Sequence, residues 1–310
     1  MNIKKFKLSA FHVNLIIMAF VLLNSISVGF MDFSGFVSII FQILGVASAP
    51  LICYLLFEIY YKPDGFRANV KRSMLTLTAF AVASQFQYMW LYYGELPLTL
   101  EVLTAKGNIL FSIVICLGFM IVSSNYNKKI ANIKYSGRTK ELCKTNYLLG
   151  KQERSARLER ARLRINKLLW LAFFLIFSLW CELAFLPIIF MLIFNSRRKS
   201  KKRQLIDLGI FSLIIAVIIY LSFKSLTDNN MDSAIPLVIT FPAGLLISII
   251  ILIFYDNAEF VQNGNTDDIA VSENALAYPQ NKLSAFVSQW SFCIFYSLHL
   301  LVLAVIRAII

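Results

Sequence analysis

The chain has 310 residues, of which 58% are apolar and only 15% are charged, and its net charge is +13. Soluble globular domains contain about 45–50% apolar and about 25% charged residues. The apolar residues also form runs as long as the roughly 20 residues that a helix needs to cross a bilayer. This composition excludes a soluble enzyme, a secreted disulfide-bonded domain and a disordered chain. It indicates an all-α polytopic membrane protein.

The apolar runs predict about nine transmembrane segments, including one short helical hairpin. Four spans form an N-terminal block over residues 1–124, and a basic loop over 125–167 follows it. A C-terminal block over 168–310 contains a polar insertion at 256–281. The predicted apolar segments cover residues 10–30, 36–61, 73–93, 108–124, 168–194, 205–223, 235–255 and 286–309.

The distribution of Lys and Arg predicts the orientation, because cytoplasmic loops retain these residues during insertion. A basic flank precedes the first run, so we expect a cytoplasmic N-terminus. The loop over 125–167 contains 13 Lys or Arg residues against three Glu, and is therefore expected in the cytoplasm. Its second half, 152–167, predicts a basic helix that either lies on anionic lipid headgroups or connects two spans in solvent.

The run over 168–194 predicts the hairpin. Its 27 residues would extend about 40 Å as one helix, which is too long for one crossing and too short for two. A single crossing would also move the six basic residues of 197–203 to the outside. Two short helices that turn near 182–187 avoid this, and they leave Glu182 at membrane depth, where it must face protein or water.

Ionisable residues inside apolar runs are candidate functional residues, because they are costly to bury in lipid. His299 lies well inside the last run, and imidazole is suited to proton transfer near neutral pH. The alternative is a neutral histidine bonded to a neighbouring helix. Glu58 lies in the last turn of the second run, where a salt bridge to Lys62 is the alternative. His12 lies near the basic N-terminus, and an interfacial role is favoured there.

Motifs of soluble enzymes are absent from the sequence. No glycine-rich phosphate loop and no Gly-x-Ser-x-Gly motif occur, and no residues have the spacing of metal ligands. The five cysteines show no paired spacing, so neither a disulfide framework nor a zinc site is expected. The basic stripes lack the interleaved aromatic residues of a nucleic-acid reader.

Gly45, Pro50 and Glu58 lie together in the stretch over 44–58. They fall in register with the segment G-R-x-A-F-P-L-F-x-F-L-L-x-E-G, which is typical of the TraX family of bacterial inner-membrane proteins, and this stretch resembles that segment. Further similar fragments follow in the same order: Arg72 opening a helix, Asn108-Ile-Leu-Phe-Ser, the turn over 182–187, Phe254-Tyr-Asp-Asn and Phe295-Tyr-Ser-Leu-His-Leu-Leu. The N-terminal motif is degenerate, because the first run lacks the family's Asp-His pair and Val46 replaces its Arg.

The resemblance implies a membrane acyltransferase of pilus biogenesis that acetylates a pilin-type subunit from acetyl-CoA, without a metal. Under this hypothesis His299 accepts a proton and Glu58 orients a cationic partner. The phosphates of acetyl-CoA would bind Arg67, Lys71 and Arg72. The other candidate site residues are Asn108, Glu182 and His12.

Two alternatives remain from the sequence. A non-catalytic accessory protein for pilus or fimbrial assembly would use the loop over 125–167 to contact a cytoplasmic partner or anionic lipid, and the missing Asp-His pair favours it. A proton-coupled transporter could use intramembrane carboxylates, but no inverted pair of broken helices is visible.

Overall fold

The computed structural model describes residues 8–31, 35–61, 70–94, 106–133, 147–196, 200–226, 235–255 and 282–310. Within these residues the chain forms nine α-helices and no β-strand, so the predicted all-α class is confirmed. The helices are α1 Ala10–Phe30, α2 Phe36–Tyr61, α3 Val70–Tyr93, α4 Ile109–Asn132, α5 Tyr147–Ser178, α6 Leu186–Ser196, α7 Lys201–Leu226, α8 Ile235–Phe254 and α9 Lys282–Ile309. Arg67 and the polar insertion over 256–281 lie outside the described residues.

Five of the described helices are long and apolar enough to cross a membrane: α1, α2, α4, α7 over Lys201–Leu221 and α9 over Trp290–Ile309. The predicted count of about nine segments is not confirmed. Large apolar side chains are exposed on the outside of the bundle, and Leu75, Ile176 and Leu213 each have at least 70% of their surface uncovered. An apolar surface of this kind suits a lipid environment better than water.

Helix α2 lies at the centre of the bundle and packs against α1, α6 and α8. Small residues allow these helices to approach closely, as is common between helices in membranes. A Cβ atom on Gly45 would lie 2.3 Å from the side-chain oxygen of Asn24 in α1. A Cβ atom on Gly244 of α8 would lie 2.7 Å from the carbonyl oxygen of Ile43. The two glycines therefore set the spacing of α1 and α8 from α2.

Helices α3 and α9 pack side by side and run in the same direction. Near their beginnings, Phe80 stacks on Trp290. Near their ends, Arg307 donates a hydrogen bond to the carbonyl oxygen of Leu91. Helix α1 also runs parallel to α9, because Asn14 contacts Ser291 early in both helices. The ends of α1, α3 and α9 therefore lie at one end of the bundle.

The run over 168–194 forms the predicted hairpin, but its turn lies earlier than expected. Helix α5 ends at Ser178, the turn covers Leu179 to Phe185, and α6 begins at Leu186 rather than after 187. Pro187 falls in the first turn of α6, where a proline's missing N–H is not needed for helical bonding. The apolar arms, 168–178 and Leu186–Ser196, contain 11 residues each. Each arm is therefore about 16 Å long, half of a bilayer core.

The hairpin turn stops inside the bundle, against the residues that precede α4. The backbone N–H of Gly107 donates to the carbonyl of Trp180 at 2.8 Å, and the N–H of Glu182 donates to the carbonyl of Gly107 at 2.7 Å. Gln85 of α3 accepts a hydrogen bond from the backbone of Asn108 at 3.0 Å. Gln85 precedes the end of α3 by eight residues, or about 12 Å. The hairpin turn and the residues that precede α4 thus form backbone hydrogen bonds with each other inside the bundle. Non-helical backbone that is buried in a membrane requires such partners.

Candidate functional site

Buried and half-buried polar side chains form two separate clusters. The Glu58 cluster consists of Glu58, Tyr54, Tyr255 and Lys201. The His299 cluster consists of His299, Ser25, Tyr88, Tyr92, Tyr296 and Glu182.

The Glu58 cluster holds a buried carboxylate between α2 and α8. The hydroxyl of Tyr255 donates a hydrogen bond to Oε2 of Glu58 at 2.5 Å, and each residue has only 2% of its surface exposed. The ring of Tyr54, one turn earlier in α2, packs edge-on against the ring of Tyr255. Lys201 donates to the carbonyl of Tyr255, and its Nζ lies 5.3 Å from the centre of the Tyr255 ring. Tyr255 therefore contacts both Glu58 and Lys201.

His299 lies in α9 with 7% of its surface exposed. Its Nδ1 lies 3.1 Å from the carbonyl oxygen of Phe295, and its Nε2 lies 3.2 Å from Oγ of Ser25 in α1. A carbonyl oxygen only accepts hydrogen bonds, so we assign the proton of the neutral imidazole to Nδ1. Nε2 then has a free electron pair that points to Ser25. This is the tautomer that a general base requires.

A tyrosine of α3 lies beside the contact between His299 and Ser25. Tyr92 lies next to Ser25 and stacks on Tyr88, and Ser25 in turn contacts His299. The imidazole ring stacks on Phe295 with centroids 5.0 Å apart, and its edge meets Tyr296 at 5.2 Å. The ring is therefore fixed by packing on two sides and by hydrogen bonds at both nitrogens.

Glu182 places a carboxylate next to this group of tyrosines. Its carboxyl group interacts with Lys106 and lies near the backbone N–H of Ile109 at the start of α4, where the helix dipole favours negative charge. Electrostatic interactions also link it to Tyr88, Tyr92 and Tyr296. The hairpin turn therefore brings a carboxyl group towards the helices that carry His299 and Tyr92.

The structure does not bring Glu58 and His299 together. The backbone N–H of Leu8 donates to the carbonyl of Phe254 at 2.9 Å, which places the Glu58 cluster where α1 begins. Ser25 follows Leu8 by 17 residues, or about 25 Å of helix. The two clusters therefore lie at opposite ends of the bundle and cannot act on the same atoms.

The predicted phosphate-binding residues also lie far from His299. Lys71 and Arg72 are exposed in the first turn of α3, whereas Tyr92 lies 20 residues later, or about 30 Å away. Arg67, the third residue of this predicted set, is not among the described residues. The phosphates of an acetyl-CoA molecule bound to Lys71 and Arg72 would thus lie at the end of α3 opposite to His299.

The remaining candidates have local structural contacts. Asn108 caps α4: its Oδ1 accepts from the backbone of Leu110 at 2.9 Å, and its Nδ2 donates to the Ala81 carbonyl at 3.0 Å. His12 is exposed at the start of α1, where its Nδ1 lies 2.6 Å from Oγ of Ser9. His12 is therefore at the end of α1 opposite to the His299 cluster.

The sequence analysis did not single out Ser25 or Tyr92. A serine is inexpensive to bury in a helix, since its hydroxyl can bond the carbonyl four residues earlier. Ser25 does contact the carbonyl of Val21 at 3.0 Å. A tyrosine near a helix end is typical of the headgroup region, so the stacking of Tyr92 on the buried Tyr88 is visible only in the structure.

A metal site is not present among the described residues, because no three His, Cys, Asp or Glu side chains converge there. Comparisons of the chain with protein families, with curated proteins and with solved structures found no match. The TraX resemblance therefore stays a prediction.

Proposed function

We propose that this protein is a membrane-embedded acyltransferase of the bacterial inner membrane, with its N-terminus in the cytoplasm. It acetylates a pilin-type subunit from acetyl-CoA during pilus biogenesis. The observation that supports the proposal is the geometry of His299, a buried imidazole whose Nε2 is free to accept a proton. The TraX resemblance supplies the classes of donor and acceptor.

In the proposed reaction His299 acts as the general base. Its Nε2 removes the proton of the attacking group as that group bonds to the carbonyl carbon of the acyl donor. The Phe295 carbonyl holds the imidazole in the tautomer that this step needs. The Tyr92 hydroxyl lies next to Ser25 and donates a hydrogen bond to the oxygen on which negative charge develops. Burial of the cluster excludes water, which would otherwise compete as the attacking group.

Lys71 and Arg72 remain the proposed contacts for the phosphates of acetyl-CoA. About 30 Å of α3 separates Arg72 from Tyr92, so phosphates bound at Arg72 would lie near the face of the membrane opposite to His299.

The test is the mass of the acceptor pilin isolated from cells that carry variants of this protein. His299→Ala should lower the rate of acetylation by about 10²–10⁴-fold, the usual contribution of a general base. His12→Ala is the matched control, because this histidine lies at the other end of α1, and it should leave acetylation unchanged. Full acetylation by His299→Ala would remove His299 from the reaction.

A non-catalytic accessory protein is the second candidate, and the surface of α5 favours it. Arg162 and Arg164 are exposed on this helix, which continues without a break into the hairpin arm. Such a surface suits an acidic partner or anionic lipid. Deletion of the protein separates the candidates: loss of the acetyl group with intact pili indicates the enzyme, and loss of pili that His299→Ala does not reproduce indicates the accessory role.

A further inference from the structure

We propose that Ser25 is a catalytic nucleophile that carries the acetyl group as a covalent ester between donor and acceptor. The inference rests on the proposed acyl transfer and adds an intermediate to it. It comes from the contacts of one hydroxyl group, which lies 3.2 Å from the Nε2 of His299.

The positions of the protons determine what the Ser25 hydroxyl can do. Its single proton has two acceptors within reach, the Val21 carbonyl at 3.0 Å and Nε2 of His299 at 3.2 Å. The Nδ1 proton of His299 is donated to Phe295, so Nε2 can only accept a hydrogen bond. Ser25 donates to the Val21 carbonyl, and rotation of its hydroxyl turns the same proton to Nε2.

The result is the arrangement found where a serine is activated for attack. The nucleophile lies within hydrogen-bonding reach of a base, and a third group orients the base. Here Ser25 is the nucleophile, His299 is the base and the carbonyl of Phe295 is the orienting group. Ser25 has only 3% of its surface exposed, so an ester at this position is protected from hydrolysis.

The reaction then has two steps, each of which balances. Oγ of Ser25 bonds to the thioester carbonyl while Nε2 takes the serine proton. The carbon–sulfur bond breaks, and the thiolate leaves with that proton as free CoA. The acceptor amine next attacks the Ser25 ester, and Nε2 takes a proton from the amine. The bond between the acetyl carbon and Oγ breaks, and the proton returns to Ser25.

The experiment uses the full-length protein in lipid nanodiscs with radiolabelled acetyl-CoA and no acceptor. We expect a hydroxylamine-sensitive label that peptide mass spectrometry locates at Ser25. Ser25→Ala should abolish the label, and His299→Ala should slow its formation by about 10²–10⁴-fold. Ser25→Cys should form a thioester at the same position, which shows that the effect of Ser25→Ala is not a failure to fold.

Ser27→Ala is the matched control. Ser27 lies in the same helix, is buried, and contacts the hydroxyl of Ser38 at 2.7 Å instead of His299. Its substitution should leave labelling of Ser25 unchanged. A label that persists in Ser25→Ala would overturn the inference.

A fluorophosphonate probe separates this inference from the proposed function, because it reacts with activated serines without an acyl donor. A phosphonate on Ser25 without transfer from acetyl-CoA would support the nucleophile and contradict the proposed donor. Acetylation of the acceptor at the wild-type rate by Ser25→Ala would show that Ser25 is not a nucleophile. The proposed acyltransferase function would be unaffected by this result. If Ser25 carries neither the acetyl ester nor the phosphonate, Ser25 is not a nucleophile.

Discussion

Tyr255 donates a 2.5 Å hydrogen bond to Glu58, although 197 residues separate the two in the chain. The contact joins α2 to the residue that follows α8, and neither side chain is reached by solvent. A buried carboxylate is stable only when hydrogen bonds or opposite charges replace its water. The Glu58 cluster therefore stabilises the bundle at the end opposite to His299.

Removal of the Tyr255 hydroxyl should destabilise the protein. Tyr255→Phe deletes a hydrogen bond to a buried charged group, so we expect the free energy of unfolding to fall by about 1.5–3 kcal/mol. The measurement is thermal unfolding in detergent, followed by tryptophan fluorescence. Tyr220→Phe is the control, because Tyr220 is exposed. Equal midpoints for Tyr255→Phe and the wild type would show that the contact does not stabilise the fold.

The close approach of α2 and α8 should make Gly244 sensitive to substitution. In Gly244→Ala the new methyl group would meet the backbone carbonyl of Ile43 at 2.7 Å, and a backbone atom can move away only if the helices separate. We expect a loss of about 1–3 kcal/mol in unfolding free energy. In Gly209→Ala the nearest atom, on Ile249, lies 3.9 Å away. If both variants unfold at the same temperature, the helix spacing described above is wrong.

Asn108 should be required for the junction between α3 and α4. Asn108→Ala removes the cap of α4 and the donor to Ala81 and Ser84, and loss of the cap alone is worth about 0.5–2 kcal/mol. Asn108→Asp keeps the capping oxygen but places a second oxygen against the Ala81 carbonyl, so it should also be destabilising. Denaturation midpoints measure both effects. Wild-type stability of Asn108→Asp would show that the amide donor is dispensable.

The hairpin predicts which positions share a membrane face. In a Cys143→Ser background, cysteines introduced at Ser155 and Ser196 should react with an impermeant maleimide from the same side. A cysteine at Tyr93 should react from the other side, because α3 ends at the opposite end of the bundle. Accessibility of Ser155 and Ser196 from different sides would mean that the segment between them crosses the membrane completely.

The helices were the most predictable part of the fold, because bilayer thickness sets the length of an apolar helix. The predicted runs over 10–30 and 36–61 match α1 and α2 residue for residue. The hairpin was predicted from charge and length, but its turn lies at Leu179 to Phe185. The depth of the turn depends on its backbone contacts with Gly107, and no local pattern in the sequence encodes a contact of this kind.

The candidate site was less predictable, because a site needs contacts between distant segments. His299 stood out as an ionisable residue in an apolar run. Ser25 did not, since a hydroxyl is common in such helices and its partner is 274 residues away. Lys71 and Arg72 were grouped with His299 by resemblance, and the direction of α3 separates them.

The role of His299 is measured with purified protein in nanodiscs, through the initial rate of acetyl transfer from acetyl-CoA to a pilin N-terminal amine. We expect the wild type and Ser297→Ala to transfer at equal rates, because Ser297 bonds the carbonyl of Cys293 in its own helix. We expect His299→Ala to be slower by about 10²-fold or more. Transfer by His299→Ala at the wild-type rate would show that His299 is not the base.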